Sequence, residues 1–346
     1  MKRILAVLIC LMLTGSLMSG ALAVNEDIEG KIVIYTSMYQ FEIDKMTEAL
    51  KTEFPNLEVN FFYGGTGDLQ TKIAGEMGAQ HNGVLSCDML MVAEPAYSLE
   101  LKDYGYLEPI QIDNAAELFR DGLEFDPEGY WYPVRTLNMI LAYNPEKYSA
   151  EELPQTYQAF AEDESMKGQI SMSNPLTSGT AMAAIVALSE KYGYEYFDAL
   201  GKNGVMIESG STALAKLQTG ECKEIMILEE SVLRIRKEEG SKISVIYPED
   251  GVILIPSTVM TIAENRSANA NLEACEAVTG WLLSEAGQEY ILDGYMHSVL
   301  KGMPCPYDSV DTDELAGKDM GVNWERCYHD REEIRTRFQE AVTLAK

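Results

Sequence analysis

The sequence predicts an open-sheet α/β protein built as two lobes, on three observations. Apolar, β-branched runs recur, and each delivers a small hydroxyl residue or glycine to the start of an amphipathic helix. The 346 residues, 46% of them hydrophobic, are more than a single core ordinarily holds. No internal repeat and no low-complexity linker interrupts them, so a boundary between lobes has to be a crossing of extended chain rather than a flexible tether.

The fullest of the strand-to-helix turns lies in Gly168 to Leu188, GQISMSNPLTSGTAMAAIVAL, where a short strand leads through Pro-Leu-Thr to Ser178, Gly179 and Thr180 and then into an apolar helix. A helix start carries N–H groups without intrahelical acceptors and the positive end of the helix dipole, so it attracts anions. Ser178 and Thr180 add hydroxyls, and Gly179 lets a ligand approach the backbone. An ordinary Ser N-cap has the same pattern; repetition is what favours a site. Lys31 to Tyr35 leads into Thr36 and Ser37, then into Ile43, Met46, Leu50 and Phe54 at helical spacing. Leu57 to Phe62 leads into Gly64-Gly65-Thr66-Gly67-Asp68 and then Leu69, Ile73 and Met77. Val205 to Glu208 leads into Ser209-Gly210-Ser211-Thr212, Leu214 and Leu217. Ligands of open α/β sheets sit at the carboxyl ends of strands, so these four turns are expected to share one crevice.

The first residues predict export. Lys2 and Arg3 precede the apolar run Ile4 to Leu13, and Ala21-Leu22-Ala23 fits a small-x-small cleavage site, so Met1 to Ala23 reads as a signal peptide. The run is shorter than the ~20 residues a bilayer span needs, and the mature chain is expected to be soluble, periplasmic or extracellular. The net charge is −28, and more negative once Lys2 and Arg3 leave. That excludes nucleic acid and anionic lipid surfaces as partners. It leaves an anionic small ligand open, because helix starts act locally while exposed carboxylates are screened within ~8 Å at physiological salt. Arg135, in YWYPVR, either adds positive charge to the crevice or closes a surface salt bridge.

Leu107 to Ile112 is the expected outgoing crossover and Val252 to Val259 the return. Tyr130, Trp131 and Tyr132 precede the strand Leu137 to Ala142 and are expected to pack the core rather than line the crevice. Beyond the leader, Cys87, Cys222, Cys275, Cys305 and Cys327 are an odd number, so at least one thiol stays unpaired unless another chain supplies a partner. Cys275 reads as a buried core thiol, and Cys305 with Cys327 could close a disulfide. His81, His297 and His329 lack companions at metal-ligand spacing, and HExxH, GxSxG, Walker and GxGxxG motifs are absent. Glu229 and Glu230, after the strand Glu224 to Leu228, are either an acid–base pair or ligand acceptors at a helix start. A charged tail from Asp308 ends in an expected helix, Arg331 to Ala345, packed on one lobe.

In order along the chain stand IVIYTS, GGTGDLQTKIAGE, CDMLMVAEP, LAYNP, NPLTSGTA, VIYPEDG and WLLSEAGQEYIL. Together with the export signal they resemble the extracytoplasmic solute-binding proteins of ABC importers. More narrowly, the chain is similar to the group usually labelled ferric-iron binding, which also includes binders of sugar phosphates and aminoethylphosphonate. The resemblance implies a type II periplasmic-binding-protein fold, two open sheets joined by two crossover strands, with ligand caught between the lobes. With the crossovers above, lobe 1 is 24–109 and 252–297, and lobe 2 is 110–251 and 298–346.

Residue by residue, the resemblance implies ligand contacts at Ser37, Thr66, Ser178, Gly179, Thr180 and Ser211. Glu230, and beside it Glu229, would face the cleft from the second lobe and accept hydrogen bonds from ligand hydroxyls or an ammonium. Glu94 matches a position that supplies an iron-ligating carboxylate in ferric binders. Those proteins hold iron mainly with two adjacent tyrosines after the strand that here reads EIMIL, where this chain has Glu229, Glu230 and Ser231. Tyr39 stands where some place a histidine, so a ferric site would be Tyr39, Glu94 and Glu230. Hydroxyls and helix starts suit phosphate oxygens better, because they donate hydrogen bonds. The expectation is a monomeric binding protein, not an enzyme and without a cofactor, that captures a phosphorylated or phosphonylated anion and passes it to an ABC permease. Ferric iron or a ferric chelate ranks second, ahead of a sensory binding protein or an exported phosphoesterase.

Overall fold

The computed structural model describes residues 25–78 and 82–344; the expected signal peptide and His81 lie outside them. The chain opens with β1 (Glu29–Thr36), α1 (Gln40–Glu53), β2 (Asn56–Tyr63), α2 (Thr66–Met77), β3 (Met89–Ala93), α3 (Ala96–Asp103), the two-residue β4 (Leu107–Glu108) and the single turn α4 (Ala115–Leu118). The long β5 (Tyr132–Tyr143) follows. Then come α5 (Tyr157–Glu162), β6 (Ile170–Ser173), α6 (Gly179–Tyr192), α7 (Glu195–Lys202), β7 (Met206–Glu208), α8 (Gly210–Thr219), β8 (Glu224–Leu228), α9 (Glu229–Glu239) and β9 (Ser244–Ile246). A second long strand, β10 (Ile253–Ile262), leads to α10 (Leu272–Leu282), α11 (Glu285–Asp293), α12 (Thr312–Ala316), α13 (Trp324–His329) and α14 (Arg331–Leu344).

The strand order is β2-β1-β3-β10-β5-β8-β6-β7, with β4 added on β10 and β9 on β5. Within each half the strands β2-β1-β3 and β8-β6-β7 run parallel, so helices cover the faces and the central strands are buried. All five residues of β3 and all ten of β10 are buried. The halves are joined because β10 pairs with β3 and β5, while β5 pairs with β10 through its first residues and with β8 through its last. Leu107 starts a strand of two residues on β10, so the strand that both halves share with β10 is β5.

A register shift falls between Ser257 and Thr258 of β10, leaving Val134 as the extra residue of β5. Two prolines, Pro133 and Pro256, flank it; neither can donate to a ladder, and a bulge accommodates them in an interior strand. The bulge immediately precedes Arg135, which alternates with Leu137 and Met139 on one face.

α6 is buried around most of its circumference from Gly179 to Ser189, and its alanines let it lie close to its neighbours. Trp131 and Tyr132 are buried in the core, while Tyr130 lies over the Lys102 ammonium at 4.7 Å. α14 spans Arg331–Leu344 as expected, but it does not rest on one half alone. Phe338 meets Phe197 of α7 edge-on at 5.4 Å, whereas Arg331 pairs with Glu100 of α3. All five cysteines among the described residues are free thiols, with Cys327 buried against Glu94 and the Cys305 sulfur facing the Ser309 carbonyl.

Glu224 is fully buried, and neither carboxyl oxygen has a hydrogen-bond partner. Burial, with a smaller contribution from Asp163, pushes it up to about 9. It is therefore neutral when folded and ionised when unfolded between its ordinary value near 4.5 and pH 9, and folding takes up a proton across that interval. Its contribution is fully present below pH 4.5 and is lost as pH rises toward 9. Glu224→Gln is expected to raise the melting temperature by several degrees at pH 8 and by little at pH 5, at about 1.4 kcal/mol per pH unit within the interval. An equal effect at both pH values in calorimetry would contradict this.

Candidate functional site

The four turns converge. Ser37, the Gly64–Thr66 turn, the Ser178–Thr180 turn and the Ser209–Ser211 turn line one partly open cavity of about 490 Å³, whose floor is Arg135, Leu137 and Met139 of β5 with Leu228 and Glu230 at the start of α9. It lies where the carboxyl ends of strands from both halves face one another. Hydrogen bonds cross from half to half beside it: the Gly67 amide donates to the Thr177 carbonyl at 3.1 Å, and the Tyr39 and Ser231 hydroxyls lie 3.2 Å apart.

Each hydroxyl has a local task that also prepares it for a ligand. Ser178 Oγ accepts from the Ala181 amide at 3.2 Å, Ser209 Oγ from the Thr212 amide at 3.2 Å, and Ser37 Oγ from the Ala93 amide at 3.2 Å. These are N-caps and a strand-end contact, so the capping interpretation of Ser178 is correct as far as it goes. A hydroxyl that accepts from the backbone still has its own proton to donate. Ser178 and Thr180 share one contact at 3.0 Å, as do Ser209 and Ser211. The first amides of α6 and α8 have no intrahelical acceptor.

Gly179 lines the cavity and has a packing role as well. A Cβ there would lie 2.8 Å from Thr66 Cβ, so the missing side chain lets the start of α6 meet the start of α2. Gly67 does the same from the other side, where a Cβ would lie 2.3 Å from the Leu176 carbonyl oxygen.

Arg135 is 2% exposed and makes no ion pair within 4 Å among the described residues. Its Nη1 donates to Met296 Sδ at 2.8 Å, and its Nε has no partner. Burial lowers its pKa, opposed by Glu230, Tyr39 and Glu42, which favour the cation. Burial raises Glu230 to about 7, with Arg135 acting in the opposite direction. Burial and the Glu230 carboxylate raise Tyr39 to about 12, so its hydroxyl is a donor at neutral pH.

Glu229 and Glu94 are outside the cavity lining. Glu229 is 1% exposed: Oε2 accepts from Asn138 and contacts His297 Nε2, each at 3.0 Å, and Oε1 accepts from Tyr247 and, at 2.6 Å, from Ser309. Burial alone would raise it; His297 and these hydroxyls outweigh that and hold it below the usual carboxylate range. Its capacity to accept is used internally. Glu94, at φ +79°, turns behind the Ala93 wall toward Gln70, Arg331 and Cys327. Tyr39 and Glu230 thus share the cavity without Glu94, and no group of three or more His, Cys, Asp or Glu suited to a metal occurs among the described residues.

Tyr63, Asp68, Asn174 and Glu208 also line the cavity and were missed. Tyr63 and Glu208 are the last residues of β2 and β7, so their strand-end positions were the available signal. Glu208 is ion-paired with Lys216, and Tyr63 is about half exposed at the mouth.

The sequence pattern of the bacterial extracellular solute-binding proteins matches residues 84–325, and the chain belongs to that family. A protein of Haemophilus influenzae, described only as uncharacterized, is 22% identical over 296 residues, 81% of each chain. Among solved structures, AfuA of Actinobacillus pleuropneumoniae, a periplasmic binding protein with fructose-6-phosphate bound, is 19% identical with a TM-score of 0.77, over 91% of this chain and 99% of its own. Iron-bound HitA of Pseudomonas aeruginosa is 20% identical with a TM-score of 0.76, over 90% of this chain and 99% of its own. The fold is that of a type II periplasmic binding protein, and the expected class, a solute-binding protein of ABC importers, holds. The family consists of binding proteins that act outside the cytoplasm.

The meeting of the two helix starts has a mutational signature. Gly179→Ala is expected to cost about 1–3 kcal/mol in thermal or urea unfolding, because Thr66 obstructs the new methyl. Thr66→Gly in the same chain should recover most of that loss. Additive losses in the double mutant would show that the contact is not the cause.

Proposed function

We propose that this protein captures a small phosphorylated or phosphonylated solute in the interlobe cavity and delivers it to an ABC permease. The observation that carries the reading is the Arg135 guanidinium, with its Nε free and no carboxylate partner within 4 Å among the described residues, on the floor beneath three helix starts furnished with hydroxyls. Ser178, Gly179, Thr180, Ser211, Ser37 and Thr66 donate to the phosphoryl oxygens, Arg135 supplies the compensating charge, and Tyr39 and Glu230 bind the remainder of the solute. A cavity of about 490 Å³ suits a metabolite, and AfuA, which has fructose-6-phosphate bound, shares the fold. Glu94 and Glu229 support the walls.

The lobes, 24–109 with 252–297 and 110–251 with 298–346, close over the solute, and the protein works as a soluble monomer after cleavage near Ala23. It binds stoichiometrically and turns nothing over. The second reading, ferric iron or a ferric chelate, is favoured by the shared presence of Tyr39 and Glu230 in the cavity and by the fold likeness to iron-bound HitA.

A thermal-shift panel of sugar phosphates, aminoethylphosphonate, inorganic phosphate and ferric citrate on refolded, ligand-free protein separates these. A hundredfold excess over Kd stabilises by ~2.7 kcal/mol, a readable shift. A phosphorus compound is expected to shift the melt and Arg135→Met to abolish the shift; ferric citrate acting alone would reverse the ranking. The pH dependence adds a second check. Glu230, raised to about 7, is protonated and able to donate below that pH, and repels an anion above it. Sugar-phosphate affinity should therefore fall from pH 7 to 8.5, and Glu230→Gln should flatten that slope in calorimetric titration.

A further inference from the structure

α14 is amphipathic between two partners rather than between core and solvent. Its Ile334 and Phe338 are buried toward α7 and the second half of the sheet. Two of its cations turn to the first half: Arg331 pairs with Glu100 of α3 and lies 3.7 Å from Glu94 after β3, and Arg335 donates to Gln70 of α2 at 3.4 Å. α13 is placed likewise. Arg326 donates to the Val186 carbonyl at 3.1 Å and to Ser189 Oγ at 3.0 Å on α6, while the helix also packs on α3. Trp324 to Leu344 thus forms a third link between the halves, beside β5 and β10, and one made of side-chain contacts that can part.

The chemistry of the link is that of a separable contact. Arg331 is 8% exposed, yet its Nε and Nη2 have no hydrogen-bond partner, so the buried charge is held without being fully satisfied. Glu94 is held at φ +79°, a left-handed conformation that a residue with a Cβ adopts only when its surroundings compel it. It is one residue past Ala93, which lines the cavity and donates its amide to Ser37. Lobe opening would pull Arg331 from Glu94 and Glu100 at the same moment as it breaks the Gly67–Thr177 hydrogen bond across the cavity.

We infer that α13 and α14 form a latch between the halves, with Arg331 seated on Glu94 and Glu100 as its clasp, and that this latch sets the open–closed balance of the ligand-free protein. Arg331 and Glu94 are then positioning residues, which act on the cavity through lobe closure rather than by touching solute. The inference does not depend on which solute is bound.

Hydrogen exchange of the ligand-free protein tests it, because the Gly67 amide is protected only while the cavity is shut. Arg331→Met should speed exchange at Gly67 about tenfold, in line with the loss of a charge-assisted contact. The β3 and β10 amides should keep their wild-type rates. Glu100→Gln, at a more exposed position, should act in the same direction with less effect and without risk to folding. Unchanged exchange at Gly67 in Glu100→Gln and Arg331→Met would overturn the latch. So would acceleration spread equally through β3 and β10, which would mark α14 as part of the global fold only.

Discussion

Because β5 pairs with β10 along its first residues and with β8 along its last, two parallel sheets that would otherwise be separate bodies share a seam of two antiparallel strands. The cavity, the facing helix starts and the position of Arg135 all follow from that pairing. Both strands are buried almost end to end, which fixes their register through apolar packing on both faces. The one irregularity, the bulge between two prolines, falls just before the residue that carries charge into the site.

A chain of net charge −28 presents a buried cation to its cavity, and local geometry accounts for the contrast. Exposed carboxylates are screened by solvent and salt, whereas Arg135 and the helix starts act at short range across a partly closed space. Burial of Arg135 without an ion pair still lowers its pKa, and the nearby Glu230, Tyr39 and Glu42 offset that only in part. Glu229 and Glu230 show how little sequence adjacency says about role. One is held ionised by His297 and two hydroxyls; the other faces the cavity with its carboxyl raised to about 7.

Glu94 carries a similar lesson. Its place after β3 fits a ligand, but the backbone turns left-handed there and directs the carboxylate behind the wall, to an arginine from the far end of the chain. A partner more than two hundred positions away leaves no local pattern. Gly179 was legible as a glycine needed for close approach; that Thr66 makes a close approach there depends on how the two halves face each other.

The sequence by itself determined the α/β class, the strand-to-helix turns and their hydroxyls, and the carboxyl-end location of the crevice. These depend on periodicity, capping and turn chemistry, which act within a few residues. Only the tertiary structure decided that β5 is the strand shared with β10, that Glu94 and Glu229 are used inside the walls, and that α13 and α14 span both halves. Those outcomes depend on which distant groups meet in a buried, low-dielectric interior, where each carboxylate and guanidinium must find partners or change its charge.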